Sequence, residues 1–475
     1  MHDLAFLGHG ARHIAQIVTH GRYLVHMRTT FIDLFAGVGG FHAAGEAFGW
    51  DCVFANEIDP AAAGVYQLNW GQDPLGNIHT FTRGNRKKPI PSHDVLFGGF
   101  PCQPFSKSGK QLGMDEDRGS LFHDIAYILE KHKPSMVVLE NVRNIAGPRH
   151  KHEWDYIINR LRELGYRVSS KPFVVSPHRI PPAYGGTPQA RERVFIVGTK
   201  LPSKRHVLAR NDEPLEFPTD FDGWDPQKWN LFNDLPLDET NANFMKYRIS
   251  HEEIQILDAW DWLVKNMLIR REGVRLPGFP LWADIWGKNP VYVYDSKAPD
   301  WKKDFEAKNK QFYQEHKLLI DQWFSEFPGL KETSPSKRKL EWQAQDLGSI
   351  WDGLIHFRPS GIRVKRPTYV PALVAITQTT IIGPFKRRIT PIEAARLQGM
   401  PETFTFGEQS DVLSYKQMGN GVAVGAIYQV LRAAAKRDEE ILKITNPQLL
   451  KSINKSDIKP TQKKEKKKSV KSKVS

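Results

Sequence analysis

From Phe31 to about Thr199, short apolar runs alternate with stretches of helical pattern. The runs Phe31–Leu34, Cys52–Ala55, Asp94–Phe97, Met136–Leu139 and Arg193–Gly198 are nearly continuous rather than alternating, as strands covered on both faces are. That rhythm predicts an α/β unit with a mostly parallel sheet under helices. From about Lys200 to Lys386 the rhythm breaks: tryptophans multiply, prolines interrupt, and only the stretches around His251–Arg271 and Lys302–Phe327 read as helices. A smaller, separate domain inserted into the first is expected there. Regular character returns at Thr390-Pro391-Ile392-Glu393, where proline opens a helix. The expected organisation is an N-terminal extension over 1–28, the first part of the α/β domain over 29–200, the insert over 201–386, the second part over 387–445 and a tail over 446–475. Lysine and serine dominate that tail, which predicts disorder. Met27, just ahead of the first strand, is an alternative start to Met1.

Composition narrows the class. With 475 residues the chain is long enough for two cores. Two cysteines, Cys52 and Cys102, exclude a disulfide framework and a cysteine-rich zinc site, so no metal is expected and a reducing, cytoplasmic location is. A net charge of +14 points to a polyanionic partner, nucleic acid first. No apolar run is long enough to span a bilayer and no secretory signal pattern is present, so no membrane partner is expected.

The candidate chemistry begins at Cys102, in Gly98-Gly99-Phe100-Pro101-Cys102-Gln103-Pro104-Phe105-Ser106. This segment leaves the carboxyl end of a strand, where ligands gather in open α/β sheets. A lone cysteine is commonly a small buried hydrophobe. As a nucleophile it needs activation, because a free thiol titrates near ~8.5. Around Phe31-Ile32-Asp33-Leu34-Phe35-Ala36-Gly37-Val38-Gly39-Gly40 a strand enters a glycine-rich turn and then a helix. Such a turn brings backbone amides close to a ligand, although its spacing departs from the dinucleotide fingerprint. A second strand ends at Glu57, where a ribose partner belongs. Together the two favour a nucleoside cofactor other than NAD. The run Met136–Asn141 delivers Glu140 to a strand end, where a buried charge requires a partner or a task. In Gln189-Ala190-Arg191-Glu192-Arg193 the two arginines would share one face of extended backbone. Taken singly, Glu140 reads equally as a helix cap or ion-pair residue, and the arginines as a solvated face.

Thiolate, carboxylic acid and guanidinium together suit alkylation of cytosine at C5. Addition of the thiolate to C6, with an acid protonating N3, makes C5 an enamine carbon able to take up a methyl group. A base inside a duplex is beyond reach of such a site, so the target would be flipped out.

With these motifs in order the chain resembles the DNA (cytosine-5)-methyltransferase family, of the bacterial restriction-modification type. The resemblance rests on Asp33–Gly40, Gly99-Phe100-Pro101-Cys102-Gln103, Glu140-Asn141-Val142, Gln189-x-Arg191-x-Arg193 and Gln417-Met418-Gly419-Asn420-Gly421-Val422, and it covers most of residues 30–200 and 387–435. It implies a Rossmann-like, S-adenosyl-L-methionine-dependent domain with an inserted target-recognition domain. It implies Cys102 as nucleophile, Glu140 on cytosine N3 and its amino group, Arg193 as the cytosine clamp, and Arg191 and Gln189 as supports. The cofactor set it implies is Asp33, Phe35, Ala36, Gly37, Gly39, Gly40, Glu57, Ile58, Asn77, Pro101, Asn420 and Val422. Asn77 stands where many relatives have aspartate, and Ile58 where many have an aromatic. Ser106 and Arg118 fall in the loop that the family closes over DNA. Double-stranded DNA is the implied partner, with a cognate restriction endonuclease alongside and a monomer as the expected state. Base readers are expected in Arg358-Pro359-Ser360-Gly361-Ile362-Arg363-Val364-Lys365-Arg366-Pro367, read as a loop, with Arg358, Arg363, Lys365 and Arg366 touching DNA. Two alternatives stay open: a DNA-binding protein without catalysis, and the tRNA-modifying branch of the family.

Overall fold

The computed structural model describes residues 28–84, 87–101, 121–202, 212–217, 221, 223–237, 242–287, 297–373 and 380–455. Cys102, Ser106 and Arg118 lie outside them. The first sheet contains β1 (Thr30–Leu34), β2 (Asp51–Asn56), β3 (Val95–Gly98), β4 (Met136–Val142), β5 (Tyr166–Arg167), β6 (Phe173–Val175) and β8 (Arg193–Lys200), the last two separated by a short β7 (Gln189–Ala190). Its order is β2-β1-β3-β4-β8-β5, with β6 also on β8. The strands β2, β1, β3 and β4 run parallel, whereas β8 is antiparallel to β4, β5 and β6. The sheet is therefore mixed, and less parallel than the sequence rhythm implies: a buried apolar run carries no sign of its direction.

The near-continuous apolar runs have the burial they predict. On β1, Phe31 packs into the core that holds helix Gly40–Ala47, and Ile32 and Leu34 pack into the one on the other face. Helix Pro60–Trp70 starts where Asp59 accepts from the amides of Ala61 and Ala62, with Pro60 preorganising the first turn. Helix Pro391–Leu397 opens with a Thr390–Glu393 capping box, and buried Glu393 also takes two bonds of 2.8 Å from Arg387.

The second sheet belongs to the insert: β9 (Leu281–Trp282), β10 (Lys339–Gln343), β11 (Leu354–Arg358), β12 (Gly361–Lys365), β14 (Ile381–Ile382) and β15 (Arg387–Arg388), in the order β15-β14-β11-β12-β10-β9. The remaining β13 (Val370–Pro371) pairs with β7. A separate core of Trp260, Trp286, Phe312, Trp323, Ile355 and Val364 lies between this sheet and helices His251–Arg270, Asp300–Glu315 and Lys317–Glu326. The second expected helix is thus two helices, hinged at His316.

Three expectations change here. Leu215, Leu231 and Leu235 pack into the core of the first domain, so the insert's own core begins near Ile249 rather than at residue 201. The segment Arg358–Pro367 is mostly a β-hairpin, with Arg358 paired to Gly361 across a two-residue turn, and not a loop. Helix Pro447–Lys455 occupies the start of the expected tail, burying Leu449, Leu450 and Ile453. Asn446 anchors it, its side-chain amide donating to Asp94 at 2.9 Å and Ser135 at 3.1 Å. Three apolar residues at helical spacing outweigh Lys451 and Ser452 between them.

Candidate active site

Strand β1 has β2 on one side and β3 on the other, a topological switch point whose carboxyl ends open a crevice. A cavity of about 620 Å³ lies there, lined from the glycine turn by Phe35, Ala36, Gly37 and Gly40, from β2 and its exit by Glu57, Ile58 and Asn77, and from the β3 exit by Gly99 and Pro101. Glu140 and Arg193 line it from the central strands, and Asn420 and Val422 from the C-terminal segment. Phe35, Gly37 and Gly39 have left-handed backbones, so the chain doubles back over β1. A Cβ on Gly40 would stand 2.8 Å from Val422 Cγ1, so glycine there lets the two ends of the chain meet.

Glu57 is held by two amides, accepting from Gly37 at 2.7 Å and from Asp59 at 2.8 Å. Both oxygens keep a lone pair for further donors. The side-chain oxygen of Asn77 accepts from the amide of His79 at 3.0 Å, leaving its NH2 as a donor. Asp33 and Gly39, expected on the cofactor, do not line the cavity. Asp33 is fully buried behind the turn, beside helix Gly40–Ala47, and burial holds its carboxyl well above the ordinary range, with nearby Glu57 adding to that. Alternation explains this: Asp33 shares a strand face with Phe31. Gly39 faces Trp70, whose indole donates to Val38 O at 3.0 Å.

Glu140 ends up nearly buried, with Oε1 3.0 Å from Arg193 Nε. Burial raises its carboxyl pKa, and the opposing pull of Arg193 and Arg191 does not cancel that rise. The neighbouring Asn141 was not expected to matter. Its amide donates to Phe100 O at 2.9 Å, tying the end of β4 to the loop that runs into Cys102. A buried amide next to a strand-end carboxylate was the signal for it.

The two arginines do not share a face, because the backbone leaves the extended pairing between β7 and β8. Arg193 turns to Glu140. Arg191 turns away and is fully buried, donating to Leu373 O at 3.1 Å, Gly419 O at 2.9 Å and Gly421 O at 2.5 Å. Burial lowers its pKa to about 9, which leaves it charged at neutral pH. Gln189 is likewise buried outside the cavity, donating to Leu397 O at 3.0 Å and accepting from Leu373 N at 3.3 Å. Both residues therefore tie β7 to the insert's exit and to the C-terminal segment.

In the insert, Arg358 and Arg363 share Glu341, Arg366 pairs with Asp346, and Lys365 lies 4.5 Å from the centre of the Tyr369 ring. No helix among the described residues is long and apolar enough to cross a membrane.

A family model for C-5 cytosine-specific DNA methylase matches residues 29–436. The chain is similar to type II methyltransferase M.AluI of Cellulosimicrobium cellulans, at 42% identity over an alignment of 494 residues covering 88% of this chain and 94% of that protein. It is also similar to type II methyltransferase M.HhaI of Haemophilus parahaemolyticus, at 44% identity over 404 residues, 84% of this chain and 92% of that one. A third relative, type II methyltransferase M.BanI of Aneurinibacillus aneurinilyticus, is 29% identical over 437 residues, 85% of this chain and 95% of that one. The chain belongs to the C-5 cytosine-specific DNA methylase family.

Proposed function

We propose that this chain methylates C5 of a cytosine flipped out of double-stranded DNA at a specific sequence, using S-adenosyl-L-methionine, and protects that sequence from a cognate restriction endonuclease. The observation that carries the reading is the ion pair of Glu140 and Arg193 inside the cavity, beside the Gly99–Pro101 loop that precedes Cys102. The cavity fits the cofactor. Glu57, fixed by two amides, suits a ribose diol; Phe35 and Ile58 offer apolar surface to an adenine; and Asn77 offers a donor to a ring nitrogen. When bound, the cofactor supplies an electrophilic methyl group.

The residues divide the remaining work. Cys102 adds as thiolate to C6 of cytosine. Glu140, which burial makes readier to hold a proton than an ordinary carboxylate, gives its proton to N3 and relieves the charge that addition would place on the ring. Arg193, oriented by Glu140, holds the cytosine carbonyl. Arg191 and Gln189 act as positioning residues. After methylation, loss of the C5 proton to solvent, expulsion of Cys102 as thiolate and return of the N3 proton to Glu140 restore the aromatic ring and both side chains.

Bisulfite sequencing of plasmid DNA from cells expressing the chain tests the activity and gives the site. Protected cytosines in one sequence context are expected; their absence, or protection confined to tRNA, would overturn the reading. The role of Cys102 is tested with duplexes carrying 5-fluorocytosine at that site. A denaturing-gel adduct is expected for the native chain and none for Cys102→Ser. Equal adducts would remove Cys102 from the mechanism.

A further inference from the structure

The polar face of the insert's sheet holds more cations than carboxylates. On β12, Arg363 and Lys365 point away from the tryptophan-rich core that Ile362 and Val364 enter. In register beside Arg363 stand His356 of β11 and Glu341 of β10. Glu341 takes Arg363 by its side edge, with Nε and Nη2 each 2.8 Å from a carboxylate oxygen, and holds Arg358 Nη1 at 3.3 Å. His356 adds no charge: it contacts Thr380 Oγ1 at 2.7 Å, and burial among these cations lowers its pKa to about 3.

This face leads to the reaction site. Tyr369, under Lys365, meets the ring of His178 at 4.7 Å between centroids, and the next residue, Arg179, lies 3.7 Å from Glu192, which precedes Arg193.

A guanidinium has five donors in one plane. With its Nε–Nη2 edge taken, Arg363 keeps the end edge, Nη1 and the second hydrogen of Nη2. That edge fits O6 and N7 of guanine in the major groove. An arginine meant only for phosphate gains nothing from a carboxylate, which cancels much of the attraction. Two arginines sharing one carboxylate carry a net charge of +1 rather than +2, which weakens their pull on phosphate, while the carboxylate fixes the orientation of Arg363.

We propose that Glu341 is a specificity-determining residue that orients Arg363 to read one guanine of the target site, an inference that rests on the DNA-methylating reading. The neutral alternative, that both cations hold phosphates, makes a different prediction for the same variants.

The full chain and its Glu341→Gln and Arg363→Lys variants would each select bound duplexes from a randomised pool, with methylation of the selected site measured in parallel. The native chain is expected to require guanine at a fixed position. Each variant should lose about 10- to 100-fold of the preference for guanine over adenine at that position alone. A 7-deazaguanine there, lacking N7, should impair the native chain and leave Arg363→Lys unaffected. The salt slope of binding should hold for Arg363→Lys and should not fall for Glu341→Gln. Unchanged preference at every guanine, or equal weakening on all sequences, would overturn the inference. If the native chain selects a site yet methylates nothing, the enzymatic reading falls, and the base preferences still decide the role of Glu341.

Discussion

Replacing Glu140 by glutamine separates proton donation from hydrogen bonding. The carboxyl is buried, its pKa is raised, and its partner Arg193 lies 3.0 Å away with its side chain still 18% exposed. Glutamine preserves shape and offers N3 an N–H, but cannot release a proton. General acid catalysis is worth about 10²- to 10⁴-fold, so the methyl-transfer rate should fall by that factor, about 3–5 kcal/mol of barrier. Stability should fall less, by about 1–3 kcal/mol, because Arg193 loses its counter-charge while keeping contact with water. The pH profile carries a second test. The proposed mechanism needs Glu140 to hold a proton when the thiolate adds, so the native rate should fall as pH rises through the raised carboxyl pKa. Glutamine should remove this falling limb. Single-turnover methylation of a site-bearing duplex at saturating cofactor, from pH 5 to pH 9, reads both effects. A Glu140→Gln enzyme within about threefold of the native rate, with the falling limb intact, would refute the role given to this carboxyl.

Truncation after Lys455 should keep the melting temperature and the recognised sequence while reducing the salt slope of DNA binding, since it removes eight lysines against two carboxylates; an unchanged slope would deny the tail any DNA role. Truncation after Thr445 removes buried Leu449 and Ile453, each worth about 2–5 kcal/mol as a truncation to alanine, and should lower the melting temperature sharply. Gly40→Ala places a Cβ 2.8 Å from Val422 Cγ1, so calorimetry should show cofactor affinity reduced at least about tenfold with the fold retained. Burial lowers the pKa of His93 from 6.5 to about 4, so the unfolded chain takes up a proton that the native one refuses. That contribution to stability is complete above pH 6.5 and is lost as pH falls towards 4. Urea denaturation of His93→Asn at pH 7.5 and 5.0 should show a smaller loss on acidification than the native chain; an equal loss would show that His93 is not buried neutral.

The strand ends that line the cavity were legible because their signals are local. A buried apolar run ending in Glu140, or one entering Gly37-Val38-Gly39, needs no distant partner to be read. What escaped was decided by tertiary packing. Whether β8 runs with or against β4 depends on how the chain returns after β6. The division of labour between Arg191 and Arg193 depends on Gly419 and Gly421, more than two hundred residues away in sequence. The hairpin at Arg358–Gly361 was obscured by proline and glycine, although the alternation Ile355, Phe357 and Ile362, Val364 on either side carried a strand pattern. Composition hid helix Pro447–Lys455 in the same way, averaging its apolar stripe into the lysines that follow. Glu341 was out of reach, since its meaning comes only from register with Arg363.

The closure of the cavity by Val422 over Gly40, and the grip of Arg191 on Gly419 and Gly421, give the chain a timetable. A ribosome adds roughly 5–20 residues per second, so the glycine turn waits roughly 20–80 s for the segment that completes it. In the later part of that interval, once Arg191 has been made, a nascent chain already owns Cys102 and Glu140 but lacks Val422 from its cavity wall, and Arg191 lacks two of its three carbonyl partners. A polypeptide that stalls or is cut short before Gly419 therefore lacks these contacts, and only chains that already carry the insert can complete the cavity.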